Sequence, residues 1–131
     1  MARVLRFCTV AFDVTKERPN PINPIPGESL LLWLIEKAKG SVEISAPKTE
    51  DWGWYSYALW KGRKYLLGAS ASEEANDGKR EWILQIVKQR SLTEKLLSRA
   101  KMSPDDECAG YFQSLLERDA GFRGVPADPE P

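Results

Sequence analysis

Trp52-Gly-Trp-Tyr-Ser-Tyr-Ala-Leu-Trp60, then Lys61-Gly62, then Arg63-Lys-Tyr-Leu-Leu-Gly-Ala-Ser-Ala71 is the stretch that decides the fold. Two runs rich in aromatic and apolar residues, separated by two residues that include glycine, predict an antiparallel hairpin. A two-residue loop sets the register, so Trp60 faces Arg63, Ala58 faces Tyr65, Ser56 faces Leu67, Tyr55 faces Gly68 and Trp54 faces Ala69. Side chains alternate along a strand. One face then carries Trp52, Trp54, Ala58, Trp60, Tyr65, Leu67 and Ala69, and the other carries Tyr55, Tyr57, Leu59, Lys64, Leu66, Gly68 and Ser70. Tryptophans opposite alanines interlock, so the first face reads as core. The second sets tyrosines beside small residues, which makes a shallow aromatic trough. Either a helix covers that face, or it is presented for binding.

Outward from the hairpin, residues 81–90 alternate Trp82, Leu84 and Ile86 against Ile83 and Val87 and predict a further strand. Residues 41–46 predict a short half-buried strand stopped by Pro47, and residues 3–14 an interior strand with apolar groups on both faces. Leu31, Leu34, Ile35 and Ala38 keep the helical period over 28–39, which ends at Gly40. Ser91 and Glu94 form a capping box that opens a helix over 92–100. Ser103 as N-cap with Pro104 behind it opens another over 104–119. Four prolines between 15 and 27 favour an extended connection. Within it Arg18, Pro21 and Pro24 match a loose SH3-ligand spacing, although a stiff crossover explains the same prolines.

The order is β-α-β-β-β-β-α-α. It predicts an α+β single domain over 1–123, a five-stranded, mostly antiparallel sheet with helices packed on it, and a flexible tail over 124–131.

Composition narrows the chemistry. Nineteen basic residues balance nineteen acidic ones, so there is no global basic excess of the kind nucleic-acid binders use. Near-zero charge gives little protection against association, which leaves a homodimer open. The sequence contains no histidine, which removes Ser-His-Asp and Cys-His catalysis and histidine metal sites. Cys8 and Cys108 are too few for a disulfide framework and predict free thiols. No metal or cofactor is expected. No phosphate-cradling glycine motif occurs. The N-terminus lacks a signal-peptide core and the apolar run Leu30–Ile35 is too short to span a bilayer, so the expected location is the cytoplasm.

The candidate binding residues are Tyr55 and Tyr57 on the second face, with Lys61, Arg63 and Lys64 as a basic hairpin tip suited to a carboxylate or phosphate. Trp60 and Arg63 flank the turn as a candidate cation–π pair. Glu50 and Asp51 are adjacent, and neighbouring strand residues point to opposite faces, so the pair does not form a glycosidase-type couple.

Asn23-Pro24-Ile25-Pro26-Gly27, the helix through Ile35, and Glu50-Asp51-Trp52-Gly53-Trp54 together resemble a group of small bacterial single-domain proteins of unknown function. Some of these are regarded as immunity or accessory proteins of toxin systems. The resemblance spans residues 20–90 and implies a bacterial or phage origin and a protein partner. The group has no settled activity, so no functional residue transfers. Three functions are therefore carried forward. The first is a non-catalytic protein-binding domain of immunity-like, toxin-neutralising type. The second is a small-ligand domain whose trough stacks a sugar or base, and the third is a histidine-free enzyme using Glu or Asp with Lys or Tyr.

Overall fold

A computed structural model of the chain describes residues 2–9, 11–119 and 127–129. The fold is α+β with an antiparallel sheet. Its elements are β1 (Ala2–Thr9), a 3-10 turn (Val14–Lys16), α1 (Glu28–Lys37), β2 (Glu43–Ile44), β3 (Lys48–Glu50), β4 (Gly53–Trp60), β5 (Arg63–Ala71), β6 (Arg80–Lys88), α2 (Leu92–Leu96), α3 (Glu107–Asp119) and β7 (Ala127–Pro129). The strands lie in the order β2-β4-β5-β6-β1-β7, and β3 also pairs with β4. The meander β4-β5-β6 leaves one edge at β6, which β1 fills. It leaves the other at β4, which the short β2 and β3 share.

The hairpin forms as its spacing predicts. Lys61 and Gly62 both adopt positive φ, 48° and 81°. That turn matches the right-handed twist of the flanking strands. Trp60 pairs with Arg63, Tyr55 with Gly68 and Trp54 with Ala69.

One face of the sheet is the core. Trp54, Ala58, Tyr65, Leu67, Ala69, Trp82, Leu84, Ile86, Leu5 and Phe7 meet Leu30, Leu31 and Leu34 of α1 and Phe112, Leu115 and Leu116 of α3. Helix α1 approaches β5 closely because its N-cap is Gly27. A Cβ there would lie 2.3 Å from the Ala69 carbonyl oxygen. Glycine has no side chain to cap the helix, and Glu17 supplies the acceptor instead. Its carboxylate accepts from the N–H groups of Gly27 (3.0 Å) and Ser29 (2.9 Å) and from the Ser29 hydroxyl. A carboxylate there meets both the unpaired N–H groups and the positive end of the helix dipole.

Several boundaries differ from the sequence expectations, each for a local reason. Strand β1 covers Ala2–Thr9 and residues 11–14 do not continue it; the Thr9 hydroxyl oxygen accepts from the Ala11 N–H instead. Phe12 then enters between Trp33 and Trp82, edge to face with both. Val10 lies outside the described residues. The strand expected over 41–46 shortens to Glu43–Ile44, and β3 forms beyond Pro47. Helix α1 ends at Lys37, before residue 39. Helix α2 has five residues, not nine, because Ser98 and Ala100 adopt φ of 54° and 56°.

The cap of α3 is Asp106, not Ser103. Its carboxylate accepts from the Ala109 N–H at 3.0 Å, while its own N–H turns back to the Ser103 carbonyl. Residues 127–129, read above as tail, pair with β1. Residues 120–126, 130 and 131 lie outside the described residues.

Candidate binding surface

The helix contacts above all fall on the core face. The opposite face presents a row in which Val4, Gln85, Gly68, Tyr55 and Lys48 align across β1, β6, β5, β4 and β3. Beside it runs a second row of Val87, Leu66 and Tyr57. Among the described residues no helix lies over these rows. Tyr55, Tyr57, Leu66, Ile83 and Val87 are half-buried, and Leu59 at the rim is 49% exposed.

Trp52 belongs to this face and not to the core, which corrects the alternation read from the sequence. Gly53 adopts φ 145° and breaks the period, so Trp52 and Trp54 point to opposite sides. No other residue fits there, since a Cβ on Gly53 would come within 2.4 Å of the Ala69 carbonyl oxygen. The six-membered part of the Trp52 indole rests on Gly68, with ring carbons 2.8 and 2.9 Å from where a Cβ would stand. The trough expected along Gly68 is therefore filled by an indole. The Tyr55 and Tyr57 rings meet edge to face, 5.7 Å apart at 74°. Lys64 Nζ sits 4.6 Å from the centroid of the Tyr57 ring.

The structure separates the five candidate residues. Tyr55, Tyr57 and Lys64 come together on the uncovered face. Arg63 and Lys61 do not join them. The Arg63 guanidinium makes a two-pronged pair with Glu94 (2.8 and 2.9 Å) and also donates to the Gln89 carbonyl. This pair and the Ser91 backbone N–H hold the Glu94 carboxyl well below its ordinary value, at about 2, and raise Arg63. Arg63 thus ties α2 to the hairpin and does not pair with Trp60. The cation over the Trp60 ring is Lys61, at 5.8 Å, and Lys61 also pairs with Glu107 at 2.7 Å. Trp60 packs against Tyr111 of α3.

The tyrosine on the core face behaves differently. Tyr65 is buried and donates its hydroxyl to Asp106 at 2.8 Å. Burial, then the Asp106 carboxylate, push the Tyr65 hydroxyl up in pKa, and burial pushes the Cys108 thiol up to about 12. Cys8 is exposed and points away from the core, while Cys108 is buried in α3, so the two thiols lie on opposite sides of the sheet and both are free.

At the β3 edge a cleft of about 630 Å³ opens between the proline-rich connection and the strands, with Arg18, Lys48 and Tyr55 among its lining. The connection is built into the fold. Asn20 donates from Nδ2 to the carbonyls of Glu50 and Gly53 and accepts on Oδ1 from Ile22 and Asn23. Arg18 pairs with the buried Glu28, so the Arg18–Pro24 stretch is not a free SH3-type ligand. Nothing in the sequence spacing marks this cleft, because its walls come from segments that meet only in the fold.

Among the described residues no group of three or more His, Cys, Asp or Glu side chains is placed to hold a metal ion. No helix among them is long and apolar enough to cross a membrane. Compared with protein families, characterised proteins and solved structures, the chain matches none significantly.

Proposed function

We propose that the chain is a protein-binding domain whose partner seats on the uncovered sheet face around Trp52, Tyr55 and Tyr57. The observation that carries this reading is an aromatic centre flanked by Lys48 and Lys64 on a face over which no described helix lies. Tryptophan and tyrosine are the residues that most often dominate interface energetics, because they bury large area at low entropic cost. The flanking lysines favour a partner that brings carboxylates to the rim. In its sharpest form the partner is a toxin held inactive, as the immunity-like resemblance implies. The sugar- or base-stacking alternative is weaker. Trp52 occupies the slot along Gly68, and the two tyrosine rings meet edge to face and do not offer parallel planes.

The test is affinity capture from the source cells followed by titration of the purified partner. The parent and an exposed-helix control, Leu32→Ala, are expected to bind alike. Tyr55→Ala and Tyr57→Ala are each expected to weaken binding at least tenfold, in line with about 2 kcal/mol for an aromatic anchor. Equal binding by all four proteins would move the interface elsewhere.

A further inference from the structure

The cleft at the β3 edge holds Arg18, a cation that the protein-binding reading does not use, beside Lys48. Arg18 is fixed along its inner side. Its backbone N–H donates to Glu28 Oε1 at 2.8 Å and its Nε to Glu28 Oε2. One terminal nitrogen, Nη2, reaches the Pro47 carbonyl at 3.4 Å, and the guanidinium carbon lies 5.5 Å from the centroid of the Trp54 ring. The Glu28 side chain is 3% exposed, whereas that of Arg18 is 65% exposed. A buried carboxylate and an indole therefore hold the guanidinium from behind, while its outer edge stays presented. A guanidinium fork held this way is pre-organised to receive a planar or tetrahedral anion.

The surroundings add to that field. Lys48 makes no ion pair among the described residues and lines the same cleft. Glu28 is committed to Arg18. Glu50, two residues beyond Lys48, turns Oε1 to the Asp51 N–H. Of the remaining walls, Pro19, Pro21, Pro47, Trp54 and the Tyr55 ring are apolar or aromatic and Thr49 adds one hydroxyl, and Asn20 pins the proline wall to the turn before β4. We infer that this cleft binds an anionic group, carboxylate or phosphoryl, carried on an apolar body. The anion meets Arg18 and Lys48, and the body lies against the prolines and Tyr55. This inference shares Tyr55 and Lys48 with the protein-binding reading and is set apart from it by Arg18 and the proline wall.

The test is a titration of isotope-labelled protein followed by NMR at the Arg18 Nε–H, the Trp54 indole N–H and the Lys48 amide. The probes are phenyl phosphate, benzoate and neutral benzyl alcohol. Saturable shifts confined to these signals are expected with phenyl phosphate or benzoate, and the tighter of the two names the anion. Benzyl alcohol is expected to bind at least tenfold more weakly. Lys48→Ala, an exposed change that leaves Glu28 paired, is expected to weaken the anion at least threefold. Arg18→Lys, which keeps a cation for Glu28 but loses the fork, is expected to weaken it at least tenfold. Lys64→Ala and Tyr57→Ala are expected to change nothing here, so failure of the face and failure of the cleft are read separately. Non-saturating shifts spread over all lysines and arginines, equal binding of benzyl alcohol, or an unaltered titration in Lys48→Ala would overturn the inference.

Discussion

Across the β4–β5 hairpin, Tyr65 points into the helices and gives its hydroxyl to Asp106 at 2.8 Å, whereas Tyr55 and Tyr57 point away and meet each other edge to face. The same residue type thus serves two ends. On the core face a hydroxyl taken from water needs a partner, and Asp106 at the start of α3 is positioned to provide it. On the other face both rings stay half-buried. The contrast shows how a tight turn divides an aromatic-rich hairpin. Once Lys61-Gly62 sets the register, each ring's role follows from its parity and from which side the helices occupy.

The largest effect expected on that division comes from Trp54→Ala. Trp54 is 1% exposed on the core face. Its loss should cost about 3–5 kcal/mol of stability, the usual range for a deleted core aromatic, read as a fall in the urea midpoint. A loss below about 1 kcal/mol would put Trp54 outside the core and dissolve the contrast.

Tyr65→Phe removes one hydrogen bond to a buried carboxylate and should cost about 1.5–3 kcal/mol. Its pH dependence sharpens the same point. The Tyr65 hydroxyl and the Cys108 thiol both titrate above their ordinary values in the folded chain, Cys108 at about 12. Groups raised on folding stabilise while protonated. Their contribution is therefore whole below pH 9 and is lost as pH rises from the ordinary thiol value of 9.0 toward about 12. Melting followed from pH 8 to 12 should show this decline, and Tyr65→Phe should flatten part of it.

A smaller effect is expected at Ser56, on the same face as Trp54. Its hydroxyl is buried and has no hydrogen-bond partner among the described residues. Removing an unpaired buried hydroxyl relieves desolvation, so Ser56→Ala should raise stability by about 1 kcal/mol in urea unfolding. The smallest global effect is acid release of α2. Glu94 is held to about 2 by Arg63, against an ordinary 4.5. A carboxyl depressed on folding stabilises above its ordinary value and loses that contribution as pH falls through the folded one. Amide protection at Leu92–Leu96, taken relative to the intrinsic exchange rate at each pH, should fall between pH 4.5 and about 2, ahead of the sheet. Arg63→Gln should show fast exchange already at neutral pH.

Much of this was legible in the sequence because the decisive signals were local. The two-residue loop set the hairpin register, and the capping box at Ser91 and Glu94 opened α2 as its spacing predicts. Where reading failed, long-range contacts had outweighed local pattern. Trp52 changed faces because Gly53 left the extended region to approach Ala69. The start of α3 moved to Asp106, whose carboxylate meets a tyrosine far away in the chain. Arg63 reads from the sequence as part of a basic hairpin tip, yet its partner Glu94 stands 31 residues on. Of the candidate site, Tyr55, Tyr57 and Lys64 followed from parity alone. Lys48 and Arg18 did not, since β3 lies hidden behind Pro47 and the Arg18–Glu28 pair spans a proline-rich connection.

The central claim is that the uncovered face binds while the other face folds, and the double variant Tyr55→Ala with Tyr57→Ala tests it most directly. Each ring contributes cross-strand packing of about 0.2–1 kcal/mol. We predict a thermal midpoint that falls far less than that of Trp54→Ala, together with a loss of at least a hundredfold in affinity for the captured partner. A midpoint as low as that of Trp54→Ala would make these rings core. A normal midpoint with undiminished binding would leave the face without the role given to it here.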